Sequence, residues 1–427
     1  MRRSRALLIV AAAAVLPRLI VLAWERDKIL EAFVEKSDRF AQTLVSSGTF
    51  GLLPGVPSAY TQPLYGWFLA ALYWTLERSW FVVGGAQIVV AAGTAVLVFE
   101  IGRRLATVRT GLIAALIATL HPYLVWHDIH VNREILDGFL LALIVLLALI
   151  ARERRSPWWC AALGAAAGVA ILGNSRLVLL PVLLAVYAVW PLRADRRTVA
   201  AALAVLVAAG LAVAPWAVRN KVQLGCFAIT TDARALWKAN NENTYRVLAA
   251  GLWIDNVPDP PWIPPWPTKA ADIEAATGRR IVVNECAQVA LYEHRVLEFW
   301  RHHPGEKARL AVQATRMLWQ PTLTVSADEA GRNGFANTLR NTAEPVFVTA
   351  LYLLAAVGLF LAPRRFVALV LSLEAYNTVM AMIFAGTLRY RVPWDFLLAL
   401  LAAFPLERGW VRLRRRYALR APRSASS

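Results

Sequence analysis

Apolar blocks of about 20 residues recur along this chain, each the length that carries a helix across a bilayer. Lipid offers no partner for a backbone N–H or C=O, so blocks of this kind fold as helices that satisfy their own main chain. Ten spans are expected, over residues 6–24, 80–102, 110–126, 134–151, 157–173, 175–191, 198–217, 345–362, 365–386 and 391–407. A further apolar stretch, residues 63–76, is short for a crossing. It is expected to lie along the interface with Tyr65, Trp67, Tyr73 and Trp74 at headgroup level. The fold class expected is therefore an all-α polytopic membrane protein.

Composition supports the same class and removes others. Hydrophobic residues make up 58% of the 427 and charged residues 17%, more apolar and less charged than a soluble domain. That excludes a disordered chain, and three cysteines exclude a disulfide-stapled scaffold. The net charge of +18 raises nucleic acid as a partner, but the placement of the arginines argues against it. With the N-terminus cytoplasmic, every alternate connection is basic: Arg2, Arg3 and Arg5, then Arg103, Arg104 and Arg109, and so on to a tail rich in arginine after residue 407. These stretches hold 21 basic residues and four acidic ones, the asymmetry that the positive-inside rule writes into topology. Both termini are expected in the cytoplasm. The first apolar segment runs through Trp24 without a small-residue cleavage site, as in a retained anchor.

The expected organisation is a transmembrane module over 1–217 containing a first outer loop at 25–62, an extracytoplasmic loop domain over 218–344, transmembrane helices over 345–407 and a basic cytoplasmic tail over 408–427. The second outer segment is too long for a mere connection and needs structure of its own. Its stretch 252–267, LWIDNVPDPPWIPPWP, is expected to be an irregular arm because proline removes backbone donors and favours extended chain. From residue 284 to 320 the pattern turns helical, with a break at His303-Pro304. Trp253, Trp262 and Trp266 in the arm are suited either to packing or to stacking on a sugar. Cys226 and Cys286 share the outer compartment and can pair there, whereas Cys160 lies on the other side.

Polar side chains gather at the outer ends of the helices. Glu35 and Asp38 sit in EKSDRF; His121, His127, Asp128, His130, Arg133 and Glu134 in HPYLVWHDIHVNRE; Arg176 in GNSR; Arg219 and Asn220 in PWAVRN; Arg389, Tyr390 and Arg391 in LRYRVP. Charged groups near membrane depth are costly and mark sites. Carboxylates supply general bases and arginines hold phosphate through paired donors. A site of this kind suits an anionic amphiphile reached from the outer face.

The run SDRFAQTLVSSGTFGLLPGVPSAYTQPLYGWFLA resembles the first outer loop of GT-C glycosyltransferases, in the branch of protein mannosyltransferases and the lipid A aminoarabinose transferase. NREILDGFL, NSRLVLLP, PWAVRNKVQLG, WKANN and RYRVP resemble further segments of that family in order, from about Arg18 to Phe404. The resemblance implies a GT-C-type bundle and transfer of a sugar from a polyprenyl-phosphate donor to an acceptor hydroxyl, with inversion, at the extracytoplasmic face. It makes Asp38 the expected catalytic base, with helix capping after Ser37 as its structural alternative. Glu35, Glu134 and Asp128 are secondary acid, base or acceptor-orienting candidates. Glu134 equally suits a helix N-terminus by charge. Arg389, Arg391, Arg219 and Arg176 are the expected contacts of the lipid phosphate, and Tyr390, Asn220 and Asn240 the expected substrate contacts. No cofactor is expected. His127-Asp128-x-His130 has the chemistry to take a divalent metal, but plain hydrogen bonding is the simpler role and no metal ligand is assigned.

The implied partners are a polyprenyl-phosphate sugar, a glycan, lipid or protein acceptor and membrane lipids, with no nucleic acid. Alanine-, arginine- and tryptophan-rich usage fits a GC-rich bacterial genome, hence a bacterial plasma membrane. The alternative readings are a transporter or flippase of a lipid-linked sugar, against which the chain shows no evident repeat, and a non-catalytic assembly partner using the large outer loop.

Overall fold

The computed structural model describes residues 2–31, 34–154, 156–191, 195–260, 263–322 and 334–420. Among them the chain is helical, and the one extended pairing is an isolated bridge between Leu53 and Val56. The helices are α1 (Arg3–Glu25), α2 (Ser37–Ser47), α3 (Pro63–Leu76), α4 (Trp80–Leu105), α5 (Val108–Thr119), α6 (Pro122–His127), α7 (Glu134–Arg154), α8 (Pro157–Gly173), α9 (Leu180–Val189), α10 (Arg196–Leu224), α11 (Ala233–Lys238), α12 (Thr244–Ala249), α13 (Pro267–Thr277), α14 (Glu285–His302), α15 (Pro304–Trp319), α16 (Gly334–Leu359), α17 (Arg364–Ile383), α18 (Leu388–Arg391) and α19 (Asp395–Arg420).

Among the described residues, six stretches are long and apolar enough to cross a membrane: Arg3–Leu30, Trp80–Leu105, Glu134–Arg154, Arg196–Leu224, Asn341–Leu359 and Arg364–Ile383. The chain is a multi-pass membrane protein. Helices stand at all ten expected positions, but α5, α8 and α9 are shorter than a full span. Proline explains two departures. The expected span over 110–126 breaks after Thr119, and α6 restarts at Pro122, whose missing N–H costs nothing at the first helical position. The span expected from 175 begins instead as a 3₁₀ turn, Ser175–Leu177, followed by α9 with Pro181 in its first turn. The stretch expected at the interface forms α3 over its range, but Tyr65 and Tyr73, expected at headgroup level, are buried and donate to Gln87 and Asp38.

The bundle's core joins α1, α4, α5, α7, α8, α9, α10, α16, α17 and α19. Close packing of α8 on α10 depends on two glycines. A Cβ at Gly164 would meet the Val205 carbonyl oxygen at 2.1 Å, and one at Gly168 that of Ala209 at 2.6 Å, so neither position admits a side chain. The outward faces stay apolar, as a lipid-facing helix requires: Val199, Leu203, Val207 and Leu211 are all exposed along α10.

Between α10 and α16 the chain builds a helical layer, α11 to α15. The break at His303-Pro304 separates α14 from α15, and among its described residues the arm before α13 carries one 3₁₀ turn, Ile254–Asn256. Cys226 and Cys286 form a disulfide that ties the end of α10 to the start of α14. Next to it, the Glu285 carboxylate accepts from the Ala59 amide at 3.0 Å and the Thr231 hydroxyl at 2.5 Å. The layer is thereby fastened to the loop before α3. At its other end the Lys307 ammonium donates to the Met382 carbonyl at 2.7 Å and to Asn240 Oδ1 at 2.6 Å, gripping the end of α17.

Candidate active site

A cavity of about 430 Å³ lies where the loop before α2, the start of α7, the 3₁₀ turn after α8, α11, the arm and α18 meet. Five cations line it: Lys36, Arg133, Arg176, Arg234 and Arg389. Glu35, Asp232 and Asp255 are the lining carboxylates, and Tyr60, Trp253, Trp266 and Tyr390 the larger aromatic ones.

Glu35 is placed by main-chain pairing of two loops. Its amide donates to the Val131 carbonyl at 3.1 Å, and the Arg133 amide donates back to Glu35 Oε2 at 3.2 Å. The Arg133 guanidinium lies 3.7 Å from the same carboxylate and donates to Gln62 Oε1 at 2.7 Å. Burial pushes the Glu35 carboxyl above its ordinary value, and the Arg133 charge offsets only part of that rise. A carboxylate so held is a proton acceptor whose charged form is destabilised, hence a stronger base than one in water.

Most of the cations are already matched. Lys36 pairs with Asp232, and Arg234 pairs with Asp259 at 2.7 Å while lying 3.5 Å from the Trp266 ring centroid. Arg389 grips Glu134 with two donors, at 2.5 and 3.1 Å, and reaches Asn132 Oδ1 at 3.2 Å. Arg176 differs. Its guanidinium stacks on Tyr390, 3.7 Å from the ring centroid, and makes no hydrogen bond or ion pair among the described residues. Asn174 caps the turn by accepting from the Arg176 amide at 3.2 Å, which fixes where the side chain leaves the backbone.

The expected site residues therefore divide. Glu35, Arg176, Arg389 and Tyr390 line one cavity, with Glu134 behind Arg389. Asp38 does not line it. Its Oδ1 accepts from the Tyr73 hydroxyl at 2.5 Å and Arg78 Nε at 3.2 Å, and its Oδ2 from an Arg78 amino group at 2.9 Å and Gln42 at 2.8 Å. With its acceptor positions filled and the side chain buried, Asp38 locks α2 to the end of α3 and has no free lone pair facing the cavity. Asp128 is likewise engaged, by the buried Arg18 at 2.6 and 2.9 Å, so it fixes α1 against the loop before α7.

Four more of the expected residues have their partners outside the cavity. Arg391 is fully buried, pairs with Asp395 at 3.0 Å and donates to the Leu318 and Gln320 carbonyls. It joins α18 to α19 and α15, out of reach of the cavity. Arg219 donates to the Ser58 and Phe50 carbonyls and to Asn220, pinning the first outer loop to α10. Asn220 in turn donates to the Ala228 carbonyl, and Asn240 ties Leu236 and Ile383 together while accepting from Trp300 and Lys307. Both asparagines are buried and structural in what they touch. Trp253 and Trp266 line the cavity; Trp262 lies outside the described residues.

Arg133, Lys36, Asp232, Arg234 and Asp255 are the lining charges that sequence reasoning did not select. Arg133 stood in view beside Glu134, but nothing local told that its amide would meet Glu35. His130 lies against Trp126 and His127 against Tyr123, and no group of three or more histidine, cysteine, aspartate or glutamate side chains gathers among the described residues.

The chain is a helical membrane bundle with a charged cavity at the ends of its helices. Residues 57–218 match the family described as dolichyl-phosphate-mannose-protein mannosyltransferase, which bears out the resemblance read from the sequence. The oligosaccharyltransferase of Archaeoglobus fulgidus in its apo form superposes with a TM-score of 0.52 at 13% identity, over 98% of this chain and 51% of that one. The same organism's oligosaccharyltransferase AglB, in complex with an inhibitory peptide and a dolichol-phosphate, gives 0.52 at 14% identity over 100% and 52%. The chain thus spans about half the length of those two proteins. ArnT from Cupriavidus metallidurans bound to undecaprenyl phosphate gives 0.40 at 13% identity over 98% and 81%. No curated protein matches the sequence.

Proposed function

We propose that this protein is a membrane glycosyltransferase that moves a sugar from a polyprenyl-phosphate donor to an acceptor hydroxyl, with Glu35 as general base. The observation that carries the reading is the shared cavity of Glu35 and Arg176, which alone of the lining cations has no ion pair among the described residues. The acceptor oxygen attacks the anomeric carbon and its proton passes to Glu35. The bond from that carbon to the phosphate oxygen breaks on the opposite face, giving inversion and a lipid phosphate. Arg176 receives the charge that develops on the leaving phosphate. Fixed on Tyr390, it needs no reorganisation as that charge appears. Arg389 and Arg133 add positive potential nearby, tempered by their own carboxylates. Glu134 holds Arg389 in place.

The family match and the dolichol-phosphate bound to the AglB neighbour support a lipid-phosphate donor. The basic connections support a cytoplasmic location for both termini, with the cavity at the extracytoplasmic face of a bacterial plasma membrane. The layer of α11 to α15 then stands outside and closes the cavity from above.

The test is transfer from a panel of radiolabelled polyprenyl-phosphate sugars by membranes holding wild type, Glu35→Gln or Asp38→Asn at matched protein levels. The reading expects turnover in wild type, its loss in Glu35→Gln and its survival in folded Asp38→Asn. Equal turnover in wild type and Glu35→Gln removes Glu35 as the base.

A further inference from the structure

A second cavity, of about 730 Å³, opens on the far side of α11. Trp237 and Phe299 form its floor, Asp259 one wall, and Glu242, Asn243 and His302 its rim. Its volume lies within the range of about 300–1,000 Å³ typical of small-molecule sites. One ion pair separates it from the first cavity. Arg234 lines the first and donates to Asp259, which lines the second. Lys238, 3.4 Å from Asp259, holds that lip from below by donating to the Asp255 and Val257 carbonyls. α11 itself contributes Ala235 and Leu236 to the first cavity and Trp237 to the second, so the two cavities lie on either side of one short helix.

The chemistry of the second cavity differs from that of the first. Its lining carries Glu242, Asp259 and Glu298 against Arg295, with Arg295 and Glu298 paired at 2.9 Å, so it presents no excess of cations to a phosphate. Carboxylate, amide and imidazole groups at the rim offer both acceptors and donors, the combination that matches hydroxyls, which are donor and acceptor at once. A bound peptide strand needs an exposed sheet edge, and the described residues present none here.

We propose that this cavity holds an oligosaccharide, the preceding sugars of an acceptor glycan whose terminal hydroxyl reaches Glu35. The assignment of the acceptor end rests on the transferase reading; the binding of the oligosaccharide does not. The experiment uses the full chain purified in detergent and titrated with linear manno- and gluco-oligosaccharides of increasing length. Binding is followed by saturation-transfer NMR and calorimetry. Affinity should rise about tenfold or more from the monosaccharide to the longer chains, and the gain should vanish in a Glu242→Ala/Asn243→Ala/His302→Ala variant. All three side chains stand at the exposed rim, and Asn243→Ala alone should lose part of the gain if the triple variant folds poorly. Glu35→Gln should keep it, so loss of donor turnover in that variant judges the transferase reading separately. Binding that is absent or independent of length overturns the proposal. So does length-dependent binding that the rim variants retain, or a Ser/Thr-rich peptide whose tighter binding the same variants abolish.

Discussion

Glu35 and Arg133 are joined through the main chain before they meet through their side chains: the Arg133 amide donates to the Glu35 carboxylate at 3.2 Å, while the guanidinium stands 3.7 Å away. The carboxylate is therefore fixed in the cavity wall even if the arginine swings toward a ligand. Replacing Glu35 by Gln keeps the shape and removes the base. Turnover should fall about 10²–10⁴-fold with little change in donor affinity, measured as kcat against KM for the lipid donor.

The pH profile of wild type follows from the same group. Burial raises the Glu35 carboxyl above its ordinary value, and a base works only when deprotonated. Activity should therefore fall as pH drops through that raised value, starting above the usual carboxylate range. An acid limb lying at or below the ordinary glutamate value would assign the base elsewhere.

Asp38 should behave as a structural residue. Asn in its place leaves Arg78 without its charge partner. Arg78 keeps 33% of its side chain exposed, so water screens the loss and the cost is about 1–3 kcal/mol, less than for a fully buried pair. Thermal unfolding in detergent should shift downward, while the fraction that stays folded turns donor over within a small factor of wild type.

Arg176 should respond through affinity for the lipid phosphate. Removing a charge-assisted donor costs about 1.5–3 kcal/mol, so Arg176→Ala should weaken inhibition by free polyprenyl phosphate by about 10- to 100-fold. Arg176→Lys should recover part of this, since the charge returns but the planar stack on Tyr390 does not. Full inhibition in the alanine variant would take the phosphate away from this arginine.

The bundle was legible because lipid enforces it: a 20-residue apolar block has one way to satisfy its backbone. The break at His303-Pro304 and the bounds of α3 were legible for equally local reasons, a proline and an apolar length. The site was legible only as a set of loops. Charge near a helix end announces a cost, not the partner that meets it. Arg391 and Arg389 stand two residues apart in one motif, yet the short α18 turns Arg391 inward to Asp395 and leaves Arg389 at the cavity. Asp38 and Glu35 part likewise, three residues apart on the entry to α2. Which arginine kept an open face was decided by Glu134, Asp259 and Asp232, residues remote in sequence from the cations they match.

Lys307 gives a prediction about the layer above the bundle. Its ammonium grips Asn240 and the carbonyls ending α17, and it lies 5.0 Å from the Trp300 ring centroid. Burial lowers its pKa from the usual 10.5 to about 8. A lysine with a depressed value binds fewer protons in the folded state than in the unfolded one between those two limits. Stability must then rise with pH across that window, with the contribution complete above 10.5 and lost as pH falls through about 8. Lys307→Met removes the titration, so the difference in unfolding free energy between wild type and variant should change from pH 8 to 10.5 and stay flat below pH 7. Urea unfolding of the detergent-solubilised protein, followed by tryptophan fluorescence, measures it. A difference that stays constant across the whole range would mean that Lys307 titrates alike in both states and that its grip on α17 costs no desolvation.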